Sequence, residues 1–112
     1  MINIENAWQL VSNSAKKAIA TEMVYCSMIE KKLYKVKSVE ETKITIERKS
    51  GGHDGELTKA KVERAIAKFN SNGGKPMKRR TLIEKSVVEE TALVLFHPNL
   101  AWDETGDYII EV

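Results

Sequence analysis

Leu33-Tyr34-Lys35-Val36-Lys37-Ser38-Val39 and Lys43-Ile44-Thr45-Ile46-Glu47-Arg48 stand on either side of Glu40-Glu41-Thr42. In the second run Ile44 and Ile46 fall on one side and Thr45 and Glu47 on the other, the period of a half-buried strand. Tyr34 and Val36 supply the matching buried face of a partner, and the short polar link between the runs suits a hairpin. Working back toward the N-terminus, Met23-Val24-Tyr25-Cys26 is a short apolar run, and Glu30-Lys31-Lys32 interrupts it. Residues 22–49 therefore predict a three-stranded antiparallel meander.

Ahead of the meander the period is helical. Ile4, Ala7, Trp8, Val11, Ala15, Ala18 and Ile19 share one face, Asn3 is placed to cap, and Lys16 and Lys17 fall near the C-terminal end, where cations suit the helix dipole. A helix over roughly residues 4–19 is expected. Beyond the meander, Ser50-Gly51-Gly52-His53-Asp54-Gly55 reads as a loop, because its glycines oppose both regular structures. Thr58 then caps a second helix whose stripe is Val62, Ala65, Ile66 and Phe69, stopped by Asn72-Gly73-Gly74. Lys75-Pro76-Met77-Lys78-Arg79-Arg80 follows as a basic connector.

Thr81-Leu82-Ile83-Glu84 and Ser86-Val87-Val88-Glu89 both have the capping-box form, predicting a short helix near 81–86 and another over about 87–96. The β-branched and apolar content of Thr91 to Phe96 keeps a strand as the alternative there. Pro98 ends the element either way. Leu100-Ala101-Trp102 and Tyr108-Ile109-Ile110-Glu111-Val112, joined by Asp103-Glu104-Thr105-Gly106-Asp107, read as a closing hairpin. The expected fold class is α+β in one domain, 1–112: a helix plus meander over 1–50 and a helical half with a terminal hairpin over 57–112.

Helix, basic turn, two short helices and a terminal hairpin is the element order of a winged helix, and residues 57–112 resemble that module, with 100–112 as the wing. The resemblance implies nucleic-acid binding or protein association. It also puts the helix at 87–96 where a recognition helix would stand. That helix is ill suited to reading bases, since its polar positions are Glu89, Glu90 and Thr91 and carboxylates are repelled by phosphate.

Charge points to the other half. Of 112 residues, 30% are charged and 42% apolar, a globular composition with a net charge of only +2. Yet residues 1–85 hold all 18 Lys and Arg against 10 acidic residues, while 86–112 hold six acidic residues and no cation. Such a split can orient a polyanion. The candidate contacts with a DNA or RNA backbone are Lys75, Lys78, Arg79 and Arg80, the helical stripe Lys61, Arg64 and Lys68, and Arg48 and Lys49 with Lys35, Lys37 and Lys43 on the hairpin. Lys78-Arg79-Arg80 precedes an expected helix start, itself an anion site, which makes Thr81 a candidate phosphate position; a solvated turn is the alternative reading of the same residues. The alternatives are an intramolecular salt-bridge layer, or association with a protein partner or a second copy through the acidic half and its Leu100, Trp102, Tyr108 and Ile110. Exposed aromatics that would favour single strands are few: Tyr25 and Tyr34 fit either the core or a sheet face, and Trp8, Phe69, Phe96 and Trp102 sit on core stripes.

Catalytic equipment is not legible. No phosphate-loop, dinucleotide or nucleophile-elbow motif occurs, and Gly73-Gly74-Lys75 lacks the flanking strand and Ser/Thr of a phosphate loop. His97-Pro98-Asn99 has no second histidine after it, as a histidine–asparagine–histidine nuclease requires, so His97 reads as a cation at a helix C-terminus. His53, Asp54 and Glu56 are a candidate cation site. Cys26, the one cysteine, reads as an inert buried thiol and excludes a disulfide framework. A non-enzymatic protein without cofactor is expected. The longest apolar run, Ala92 to Phe96, is far below the ~20 residues of a membrane span, and Met1 to Asn6 has no basic stretch leading into an apolar one. A cytoplasmic location is the corresponding expectation.

Overall fold

The computed structural model describes residues 1–26, 32–49, 51–84 and 86–112. Helix α1 (Ala7–Ala20) comes first, followed by strands β1 (Val24–Cys26), β2 (Leu33–Val39), β3 (Lys43–Arg48) and β4 (Gly55–Thr58). Helix α2 (Lys59–Ser71), strand β5 (Met77–Lys78), helix α3 (Val87–Phe96) and strands β6 (Leu100–Trp102) and β7 (Tyr108–Glu111) complete the chain. This is an α+β architecture with two antiparallel sheets, one of order β1-β2-β3-β4 and one of order β5-β7-β6.

The meander has four strands where the sequence predicts three. Ile44 pairs with Leu57 and Ile46 with Gly55, so Ile44, Ile46 and Leu57 bury together with Tyr34 and Val36 on the face that packs against the helices. Gly55, expected in a loop, begins β4 for a steric reason. A Cβ at that position would lie 2.7 Å from Val88 Cγ1, so only glycine lets the strand pass beneath α3 at this separation. Ser50 and residues 27–31, including Glu30 and Lys31, lie outside the described residues. Between Val36 and Ser38 the β2–β3 register shifts, and Lys37 reaches Asp54 at 3.2 Å.

Helix α1 starts later than the periodicity implies. The Asn3 side chain accepts from the amides of Glu5 (2.8 Å) and Asn6 (3.4 Å), an Asx turn that holds the chain out of the helix until Ala7. Ile4 and Ile19, counted with the buried face, are therefore exposed at the two ends. Helix α2 follows its prediction closely. Thr58 Oγ1 accepts from the amide of Lys61 (3.2 Å), and Gly73 and Gly74 adopt positive φ (68° and 78°) beyond its end.

Helix α3 is the centre of the molecule. Ser86 Oγ caps it by accepting from the Glu89 amide (3.3 Å), and its residues from Val88 to Val94, with Phe96, are buried. Phe96 meets the Tyr25 ring edge-on at 5.7 Å, and α3 also packs on α1, β4 and β6, so one continuous core joins both sheets. The order expected over 57–112 is present as α2, the basic connector, α3 and the β6–β7 hairpin, with two differences. The connector contributes β5, which pairs Met77 with Ile109 and Lys78 with Tyr108. The described residues 81–84 form turns and bends instead of the expected short helix, and Lys85 lies outside the described residues. No helix among the described residues is long and apolar enough to cross a membrane.

Candidate functional site

Burying Val62, Ala65, Ile66 and Phe69 leaves Lys61, Arg64 and Lys68 along an adjoining face of α2. Facing them is the chain from Thr81 to Glu84, and between the two walls runs a groove of about 360 Å³ with Ala65, Leu82 and Ile83 as its apolar lining.

The second wall is built around one buried carboxylate. Arg80 takes a left-handed conformation (φ 71°), which turns neighbouring amides inward. Glu90, on the first turn of α3 and buried, fills the cradle so formed: Oε1 accepts from the amide of Arg80 (2.7 Å), and Oε2 from those of Leu82 (3.0 Å) and Ile83 (3.1 Å). The sequence makes this turn a candidate phosphate position; in the structure its amides are taken by Glu90. The anion is the protein's own side chain, and by taking these amides Glu90 holds residues 81–84 in a turn where the capping-box pattern predicts a helix. Thr81, expected to cap, instead donates its hydroxyl to the Lys78 carbonyl.

The predicted contacts divide into engaged and open cations. Lys61 pairs with buried Glu89 and donates to the Glu56 carbonyl (3.0 Å). Lys68 donates to the Thr81 carbonyl and pairs with the exposed Glu84 at 3.3 Å, tying the groove walls together. Arg79 pairs with Asp107 at 3.2 Å, and its amide donates to the Asp107 carbonyl at 2.9 Å. Arg64 is exposed on the groove wall and forms no ion pair among the described residues. Lys75 and Lys78 are exposed on the approach to the second wall. Arg48 and Lys49 lie at and just past the end of β3 and do not line the groove. Arg48 has the core-facing parity of Ile44 and Ile46, lies opposite Tyr34, and its Nε is buried without a partner. Lys43 pairs locally with Glu40 at 3.4 Å.

The acidic C-terminal half buries two of its six carboxylates and pairs two others. Glu89 and Glu90 are buried, Asp107 holds Arg79, and Glu111 takes the N-terminal ammonium at 3.4 Å. Asp103 closes the β6–β7 turn by accepting from the Thr105 hydroxyl (2.8 Å), a bond that holds its carboxyl below the usual carboxylate range. Of the apolar residues expected to form a patch there, Leu100 is buried, Trp102 and Ile110 are half-buried, and Tyr108 is exposed. Two side-chain ion pairs, Lys61–Glu89 and Arg79–Asp107, join the basic and acidic parts of the chain.

Three further expectations need correction or placement. Cys26 is exposed, because Tyr25 takes the inward position of β1 and strand alternation turns Cys26 out. Asp54 is taken by Lys37, and among the described residues no three His, Cys, Asp or Glu side chains gather as a metal site. His97 is not an exposed cation at a helix end. It is 1% exposed, its Nδ1 accepts from the Asn99 amide (3.0 Å), and its proton therefore sits on Nε2, which is buried without a partner.

Burial pushes the His97 imidazole below its ordinary value of 6.5. An unfolded chain takes up a proton near that value and the folded one does not, so stability is retained above it and falls as pH drops through 6.5 toward the lowered folded value. Thermal melts between about pH 7.5 and about pH 5 are expected to show this loss, and His97→Gln to flatten it. An unchanged pH slope in the variant would assign the dependence elsewhere.

No protein-family model, curated protein or solved structure matches the chain.

Proposed function

We propose that the protein is a non-enzymatic nucleic-acid-binding or accessory protein that contacts a DNA or RNA phosphate backbone through the α2 face. The observation that carries this reading is Arg64, an exposed guanidinium without an ion pair among the described residues, set between Lys61 and Lys68 on the wall of the groove. From Lys61 to Lys68 the stripe runs about 10 Å along the helix at ~1.5 Å per residue, enough to follow successive phosphates. Exposed Lys75 and Lys78 extend the positive surface toward the second wall. Glu89 and Glu90, the two carboxylates of α3, are buried and do not face a polyanion on the α2 side. Base readout is not part of the proposal, because α3 is enclosed and carries no Arg, Asn or Gln.

The test is fluorescence anisotropy with labelled nucleic acid at two salt concentrations. Affinity is expected to fall steeply with salt, with a log–log slope of about −0.7 to −0.9 per phosphate contacted. Arg64→Glu is expected to weaken binding about tenfold and flatten the slope by about one contact. That variant reports on binding because Arg64 forms no ion pair among the described residues, whereas Arg79→Glu would also break the pair with Asp107. Absence of binding at low salt would overturn the reading and favour association with a protein partner.

A further inference from the structure

We infer that the groove seats one unpaired nucleotide, so that the nucleic acid bound is single-stranded, with a phosphate on Arg64 and a base against Ile83. This inference rests on the nucleic-acid reading above and narrows it. A surface built only for backbone contact needs cations and no apolar lining. This groove has both: Lys61, Arg64 and Lys68 on one side, and on the other half-buried Ile83, which lies beside the buried Leu82 and Ala65. In a duplex the faces of the bases are stacked on one another and cannot reach such a floor, whereas an unpaired base can turn its apolar face onto it. The volume, about 360 Å³, lies at the small end of the ~300–1,000 Å³ range of ligand clefts and admits one nucleotide, not a helix.

The charges around the floor agree with this placement. Lys61 is paired with Glu89, and Lys68 with Glu84 and the Thr81 carbonyl, so among the described residues lining the groove Arg64 is the cation left to grip a phosphate with its planar fork. Among the described residues lining the groove, Glu84 is the one carboxylate. Its side chain is 70% exposed and 3.3 Å from Lys68, where it competes with an incoming phosphate.

The experiment compares a labelled single-stranded homopyrimidine DNA with a duplex of equal length at equal salt, using the full chain. The single strand is expected to bind at least about tenfold more tightly. Ile83→Asn is expected to lower single-strand affinity about fivefold and leave duplex binding unchanged. Glu84→Gln, on the exposed rim, is expected to raise single-strand affinity about two- to fivefold, and it keeps the test decisive should Ile83→Asn fail to fold. Equal or tighter duplex binding, or a Glu84→Gln variant with unchanged affinity, would overturn the inference and leave the basic-face reading standing. Absence of binding to either probe would overturn that reading itself.

Discussion

Replacing Glu90 with alanine is expected to lower the stability of the fold by about 3–5 kcal/mol, the cost of removing one partner from a buried, charge-assisted network. The carboxylate is buried and accepts from the amides of Arg80, Leu82 and Ile83, and the Leu82 bond is itself buried. Truncation would leave three donors without an acceptor and open a void at the start of α3. A buried donor without a partner costs about 1–3 kcal/mol, and partial rewetting of the turn brings the sum down to the stated range. The helix would also lose a carboxylate that favours its N-terminal dipole. Glu90→Gln keeps the shape but points an amide at groups that donate, and should fall between alanine and wild type. Urea unfolding measures both, and a loss below about 1 kcal/mol for Glu90→Ala would mean that the cradle is not what holds the turn. The same variant should weaken nucleic-acid binding with Arg64 untouched, because the second wall of the groove hangs from this side chain.

Gly55→Ala is expected to cost about 2–3 kcal/mol, an overpacking penalty at a site with no room to give. The added Cβ would meet Val88 Cγ1 at 2.7 Å and Val88 Cβ at 3.3 Å. Val88 is buried on the first turn of α3, and its β-branched side chain has one favoured rotamer in a helix, so it cannot swing aside. Relief requires α3 to lift from β4 or β4 to leave the sheet. A double-mutant cycle with Val88→Ala separates this from a backbone effect. Gly55→Ala should cost markedly less in the Val88→Ala background than alone, and an equal cost in both would refute the steric account.

These two positions also mark where sequence reasoning stops. The β2–β3 hairpin is legible because Ile44 and Ile46 alternate with Thr45 and Glu47, a signal contained within six residues. Helix α2 is legible because its cap, stripe and glycine stop are all local, and the basic stripe Lys61, Arg64 and Lys68 follows from the same periodicity. The role of Gly55 is decided by Val88, far along the chain, and a glycine in a polar stretch otherwise carries the ordinary signature of a loop. The turn at 81–84 contains a valid capping box, and its local preference is overridden because Glu90 offers its amides a better acceptor. Glu89 and Glu90 look like solvated positions of a helix, and only the partners Lys61 and the 80–83 amides account for their burial. Cys26 is a different case, since placing Tyr25 inward by strand parity would have placed the thiol outward. The stripe of cations was therefore visible in advance, while its division into engaged Lys61 and Lys68 and open Arg64 was not.

The most direct test of the account is a two-dimensional amide NMR titration of the full chain with a single-stranded oligonucleotide. The largest perturbations are predicted along α2 from Lys61 to Lys68 and at Leu82, Ile83 and Glu84, reduced together in Arg64→Glu. Perturbations centred instead on the β2–β3 hairpin or on the acidic β6–β7 hairpin, with the groove amides unmoved, would contradict it.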